Sequence, residues 1–339
     1  MSSLMERLKK QSTIDIANVL DDSEIFGERQ VIPTEIPILN LALQGDVKGG
    51  LTSGVTMIAG PSKHFKSMIA LLMMRSFLNQ YKDGAVLFYD SEFGTPKGYF
   101  DALGIDMSRV LHTPITDAEQ LKHDIMVQLK EFKRGEHVLI IIDSIGQLAS
   151  IKEVEDAIEG KSVADMTRAK AFKSLFRMVT PHLRIKDIPL VVVNHTYKEI
   201  GMYPKDIVGG GTGAYYAADT LWIIGRQQEK VEGEIAGYHF VINVEKSRYV
   251  REKAKFPITV MHDGGIEKYS GLLEFALEGG FVTKPSPGWY LKKGSTTKVR
   301  EAETKTAEFW KDILANGEFH EYLAKTCKVA YGDMVEDSN

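Results

Sequence analysis

Between about residues 54 and 225 the chain alternates short, continuous apolar runs with longer segments that are apolar on one face only. GVTMIAG (54–60), AVLFYD (85–90), VLIIID (138–143), PLVVVNH (189–195) and the run 220–225 predict strands. Their unbroken β-branched character means burial on both faces, as in a parallel sheet covered by helices. SMIALLMMRSFLNQ (67–80) and 166–183 predict helices between them. So does 117–134, with Leu121, Ile125, Leu129 and Phe132 on one face. The expected fold class is α/β, with a twisted, mainly parallel sheet.

The flanks read differently. Residues 2–20 predict a helix, with Leu4, Leu8, Ile14, Ile16, Val19 and Leu20 as its apolar contacts. After about Tyr269, GLLEFALEGGFV, WYLKKGS and a last helix over 319–330 predict a small C-terminal subdomain. The closing DMVEDSN predicts a disordered tail. The expected organisation is an N-terminal arm (1–30), a core (31–268), a small subdomain (269–332) and the tail (333–339).

Composition narrows the classes. The 339 residues are 43% hydrophobic and 26% charged, which suffices for one large or two modest domains. No run of about 18 uncharged apolar residues exists to span a membrane. The N-terminus has no apolar signal core, so a cytoplasmic protein is expected. The single cysteine, Cys327, excludes a disulfide framework and a cysteine-based zinc site. A formal net charge of -4 excludes a globally basic nucleic-acid binder but leaves room for a locally basic groove.

The strand GVTMIAG runs into GPSKHFKS (60–67) and then a helix. The phosphate-loop pattern is Gly-x-x-x-x-Gly-Lys-[Ser/Thr]. Gly60, Lys66 and Ser67 fit it, while Phe65 stands at the second glycine. Backbone N–H groups at the helix start would face an anion. Lys66 would reach the β- and γ-phosphates of ATP, and the Ser67 hydroxyl would hold Mg²⁺. The plain alternative is a strand–loop–helix in which Ser67 merely caps the helix. Asp143, ending VLIIID, would order Mg²⁺ through water, and Glu92, after VLFYD, would orient the attacking water. Asp90 reads as a structural strand-end acid.

Taken in order, GPSKHFKS, FYDSEFG, IIIDSIGQLAS, VVVNHTY, VGGGTGAYYAADT and VEKSRYVREKAKF resemble the RecA/Rad51 recombinases. Within them the likeness is to the UvsX recombinases of tailed bacteriophages, over about residues 31–290. Phe65 in the phosphate loop fits that subgroup.

The resemblance implies a RecA-type P-loop core and an N-terminal arm that polymerises by packing on a neighbouring subunit. It implies ATP held by Gly60, Pro61, Ser62, Lys63, His64, Phe65, Lys66 and Ser67, with Tyr99 stacked on adenine. A helix-face core tyrosine is the alternative at Tyr99. DNA would be met by AIEGKSVAD (157–165) with Arg168, and by TYKEIGMYPKDIVGGGTG (196–213). In the second loop the implied contacts are Tyr197, Lys198, Lys205, Gly209, Gly210 and Gly211. His195 would sense the γ-phosphate and relay it to that loop. Lys246 and Arg248 would reach a neighbour's ATP; without the family, that basic run reads as solvated.

The implied activity is a DNA-dependent ATPase that forms a helical filament on single-stranded DNA. It would pair that strand with double-stranded DNA and exchange strands, in recombination, repair and recombination-dependent replication. A single-strand-binding protein and a recombination mediator are implied partners, and a membrane is not. The rivals are a RecA-fold ring ATPase or helicase, and a non-hydrolysing DNA-binding paralogue.

Overall fold

A computed structural model describes residues 3–27, 29–161, 167–199, 206–231, 234–262 and 265–330. In chain order the elements begin with α1 (Ser3–Gln11), α2 (Pro37–Gln44), β1 (Gly54–Gly60), α3 (Lys66–Gln80), β2 (Ala85–Asp90) and α4 (Lys97–Ala102). Next come β3 (Val110–Pro114), α5 (Ala118–Glu131), β4 (Val138–Asp143), α6 (Ile151–Ile158), α7 (Thr167–Lys186) and β5 (Pro189–Lys198). Then follow β6 (Asp206–Val208), α8 (Gly211–Ala217), β7 (Thr220–Val231), β8 (Glu234–Ser247), β9 (Lys255–Met261) and β10 (Gly265–Ile266). The chain closes with α9 (Leu272–Glu278), β11 (Val282–Ser286), β12 (Trp289–Lys292), β13 (Lys298–Arg300), α10 (Ala307–Ala315) and α11 (Gly317–Cys327).

One mixed sheet organises the molecule, in the order β10-β9-β8-β7-β1-β5-β4-β2-β3. The pairs from β7 through β3 are parallel, and β8, β9 and β10 extend the other side antiparallel. Alternate residues of the central strands feed two cores. Leu139, Ile141, Val191 and Val193 pack with α2 and α3, whereas Ile140, Ile142, Leu190 and Val192 pack with α5 and α7. Covering both faces removes the polar alternation that a half-exposed strand would show, hence the continuous apolar runs. Beyond Tyr269, α9, a three-stranded sheet, α10 and α11 add Phe281, Trp310 and Phe319 to the first of these cores.

Several expectations need correction. The N-terminal helix stops at Gln11, because the Ser12 hydroxyl accepts the N–H of Ile14 (3.2 Å) and offers the backbone a turn in place of the next helical bond. Ile14, Ile16 and Leu20 lie exposed beyond it. The expected last helix is α11, which starts earlier, at Gly317, where the Asn316 side chain accepts from Glu318 N (2.8 Å) and caps it, and ends at Cys327; α10 before it was not expected. The second loop is not structureless at its ends. β5 continues to Lys198 and pairs with β6, and α8 begins at Gly211. β7 runs well past Gly225. The expected tail, and residues 162–165 of the first loop, lie outside the described residues. Among the described residues no helix is long and apolar enough to cross a membrane.

Candidate active site

The C-terminal ends of β1, β2, β4 and β5 meet at one cavity of about 480 Å³. β1 delivers the phosphate loop. Lys63 and Phe65 both take left-handed backbone conformations, with φ of 60° and 63°. For a residue with a Cβ that conformation costs roughly 1–2 kcal/mol. At Phe65 the ring stacks on Phe240, with centroids 5.0 Å apart and planes at 18°. Such pairs return about 0.5–1.5 kcal/mol, so the strain and the stack are of one size. Helix α3 then starts with no side chain capping its N-terminus, which leaves its first N–H groups available to an anion.

Lys66 is 6% exposed, and its Nζ donates to the Pro61 carbonyl at 2.8 Å. Burial holds its amine below the ordinary lysine value, against the pull of Glu92 and Asp143. Asp143 is 5% exposed, its Oδ1 has no hydrogen-bond partner, and the Ser67 hydroxyl bonds to its carboxyl group. Burial, aided by Glu92 and Asp90, pushes Asp143 up to about 6. An orphaned buried carboxylate oxygen beside a hydroxyl fits a hydrated Mg²⁺. Among the described residues no cluster of three or more His, Cys, Asp or Glu could cage a metal.

Asp90 shapes the turn after β2. Its Oδ1 accepts from the N–H groups of Glu92 (3.1 Å) and Phe93 (2.8 Å), and its Oδ2 pairs with His112 Nε2 (3.1 Å). The turn brings Glu92 to the strand ends, where its Oε1 accepts from Ser144 Oγ (2.5 Å) and pairs with His195 Nε2 (2.7 Å). His195 first, and Ser144 with it, hold the Glu92 carboxyl below its ordinary value despite burial. Glu92 is thus a carboxylate at neutral pH, in the protonation state that orienting or accepting from water requires. Ser144 is itself locked: Ser91 Oγ donates to its carbonyl (2.6 Å) and accepts its N–H (3.1 Å). The peptide between Asp143 and Ser144 is cis.

Sequence reasoning overlooked two residues here, Ser144 and Gly146. Both sit in IIIDSIGQLAS, yet only its aspartate was singled out. A Cβ on Gly146 would come within 2.3 Å of His195 Cδ2, so the glycine makes room for the imidazole. Arg168, expected to face phosphate, instead donates to the carbonyls of Ile145 (3.3 Å) and Gly146 (2.5 Å), with its Nε buried and unpartnered. Contacts therefore run from Glu92 through His195 and Gly146 to the start of α7.

The second loop is stitched to the same point. Gly209 N donates to the His195 carbonyl (2.9 Å), and Asn194 Nδ2 donates to the Gly209 carbonyl (2.8 Å). Gly210 and Gly211, with φ of 84° and 75°, turn the chain into α8. Tyr197 is 58% exposed, and Lys198 pairs with Asp206 at 2.9 Å across the hairpin. Lys205 lies outside the described residues. Tyr99, 50% exposed on α4, lines the cavity and is not a core residue.

Lys246 and Arg248 do not line this cavity. Lys246 Nζ donates to the carbonyls of Tyr215 (3.2 Å) and Tyr216 (2.9 Å) in the last turn of α8. Burial lowers its amine below the ordinary value. Arg248 Nε donates to Asp219 Oδ1 (2.5 Å), which Arg184 also contacts, and Asp219 Oδ2 accepts Val55 N (2.9 Å). Arg251, further along the basic run, binds the carbonyls of Lys325 (2.8 Å) and Lys328 (3.0 Å) and holds the end of α11.

Comparison with known proteins accords with this arrangement. Residues 4–267 match the family described as RecA N-terminal domain. Residues 269–323 match "Bacteriophage T4, Recombination and repair protein, C-terminal domain". The chain is 47% identical to the recombination and repair protein of Enterobacteria phage T4, over all of this chain and 88% of that one. It is 25% identical to the RecA proteins of Streptomyces avermitilis, over 85% of this chain and 75% of that one, and of Streptomyces ambofaciens, over 84% and 74%.

Proposed function

The chain belongs to the RecA family of recombinases, and on that premise we propose that it is an ATP-dependent recombinase that assembles on single-stranded DNA and exchanges strands with a homologous duplex. The observation that carries this reading is the Glu92–His195 contact. It joins a carboxylate at the phosphate loop to the strand that leads directly into the glycine-rich hairpin.

The geometry supports the following roles. The α3 N-terminus and Lys66 receive the phosphates of ATP, and Tyr99 lies where it can cover the base. Ser67 and Asp143 would hold Mg²⁺, which when bound supplies charge to offset that of the phosphates. Glu92 orients water for attack on the γ-phosphorus. His195, bonded to Glu92 on one side and continuous with the hairpin on the other, senses whether the γ-phosphate is present. Its shift moves Gly209 and so the DNA-binding loops. Lys246 and Arg248, turned away from their own cavity, complete a neighbour's site in a helical filament. Tyr197, Lys198, Lys205 and the backbone of Gly209, Gly210 and Gly211 hold the strand; Arg168 joins them once released from the Gly146 carbonyl. Base pairing between the DNA strands then supplies the sequence information. The domain boundaries at 30, 268 and 332 follow the same reading, with 1–30 as the polymerising arm. A single-strand-binding protein and a mediator are the partners such a filament needs for loading.

The deciding experiment is strand exchange between circular single-stranded DNA and a linear homologous duplex, with and without ATP. Joint molecules that need ATP and homology are expected. ATP turnover without joint molecules, with rings in place of filaments in electron micrographs, would favour a translocating ring ATPase.

A further inference from the structure

Position 65 is where the phosphate-loop pattern has glycine, and the chain places there a phenylalanine in glycine's backbone conformation. The ring is half-buried. It stacks on Phe240, which is 3% exposed. In the antiparallel ladder Phe240 of β8 lies opposite Arg226 of β7. Arg226 also grips the loop: its Nη1 donates to the Lys63 carbonyl at 3.2 Å, while its guanidinium sits 4.9 Å from the centroid of the Tyr238 ring. One hairpin therefore holds the loop at residues 63 and 65, the two positions whose backbone is left-handed.

We propose that Phe65 is a positioning residue, latched to Phe240, through which the β7–β8 hairpin holds the phosphate loop in its nucleotide-receiving shape. Glycine would reach the same backbone angles more easily but would offer nothing to latch. The arginine alone is a single bond to one carbonyl from an exposed side chain, whereas the stack adds a fixed, largely buried contact. The latch also has a wider reach. Phe240 and Lys246 lie on the same strand, joined by a ladder whose one shift in this stretch falls between Leu221 and Trp222. If Lys246 serves the neighbour, as proposed above, the strand that holds one subunit's phosphate loop also delivers the cation for the next.

The test is a double-mutant cycle on the full chain without DNA, read by titration of a fluorescent ADP analogue. The variants are Phe65→Gly, Phe240→Leu and both together, with Phe65→Tyr as the conservative control and thermal melts to confirm folding. Phe65→Gly is expected to weaken binding about two- to tenfold, the range an aromatic pair supports. The double variant should lose no more than the worse single one, because both remove the same contact. Phe65→Tyr should bind as the natural chain does. Unchanged affinity in Phe65→Gly, or losses that multiply in the double variant, overturns the latch. Should Phe240→Leu fail to fold, the contrast between glycine and tyrosine at position 65 decides alone. The readout is nucleotide binding by DNA-free protein, so it is separate from any failure of strand exchange or of the trans role for Lys246.

Discussion

Asp143→Asn should make the metal-free protein more stable while abolishing its chemistry. Asp143 is almost fully buried, one of its oxygens has no partner, and its pKa is pushed from the ordinary 3.8 to about 6. An acid that holds its proton more tightly folded than unfolded lowers stability as pH rises through that interval. At about 1.4 kcal/mol per pH unit, the folded state loses roughly 3 kcal/mol between pH 4 and neutrality. Asparagine keeps the shape and an acceptor for Ser67 but removes the charge. In a chain of this size the gain corresponds to about 4 °C in Tm. The assay is thermal unfolding of both proteins in EDTA from pH 4 to 8, then with Mg²⁺ and ADP. The two curves should nearly coincide at pH 4 and separate towards pH 7, with the asparagine protein higher. Added Mg²⁺ and ADP should then raise the natural chain more than the variant, whose ATP turnover should be lost. An asparagine protein no more stable than the natural chain at pH 7.5, with no pH-dependent gap, refutes the argument that Asp143 is a desolvated carboxylate waiting for a cation.

Other outcomes follow from the same geometry. Glu92→Gln should bind ATP and DNA yet hydrolyse about 10²–10⁴-fold more slowly, leaving long-lived filaments; normal turnover would assign the water to another residue. Lys246→Ala/Arg248→Ala protein mixed with Glu92→Gln protein should recover ATP hydrolysis above the summed rates of the two alone, since some interfaces join an intact carboxylate to intact cations. Purely additive rates, with co-assembly verified by microscopy, would return both cations to a structural role at α8 and Asp219. Affinity for single-stranded DNA should fall as salt rises despite the net charge of -4, and a flat log–log plot would remove phosphate contacts from the account.

What the sequence disclosed depended on where each residue's environment is written. The central strands were legible because burial on both faces leaves continuous apolar runs, and Lys66, Glu92, Asp143 and His195 stand at or just beyond their ends. β3 (Val110–Pro114) was missed because it lies at the sheet edge and none of its five residues is fully buried, with Leu111 and His112 exposed. The second loop was taken for irregular chain because Tyr197 and Lys198 are polar or exposed, although they continue a strand paired with β6. The partners of the site were hidden for a different reason. Phe240 and Arg226 reach the phosphate loop from more than 150 residues away in the chain, and Ser144 and Gly146 matter through contacts with residues of other strands. No local pattern marks such encounters. Arg168 shows the converse: it stands at the start of α7, where a helix was expected, but its guanidinium bonds to the Ile145 and Gly146 carbonyls, which no local pattern foretells.

Helix α8 has seven residues and is held at both ends. It begins at the turn of Gly210 and Gly211, and the carbonyls of its last turn are held by Lys246. It also lies tight on α7, where a Cβ on Gly213 would come within 2.6 Å of Lys173 Cβ. If the glycine turn meets DNA and Lys246 serves a neighbour, as proposed above, a DNA strand that draws the turn outward loosens the carbonyls at the far end, and a neighbouring subunit that claims Lys246 loosens the turn. Each event thus lowers the cost of the other, by the same amount in either direction. In the proposed filament such reciprocity would make growth along DNA self-reinforcing and would leave a subunit without DNA closed on its own cation, with the helix as the gate between solitary and assembled life.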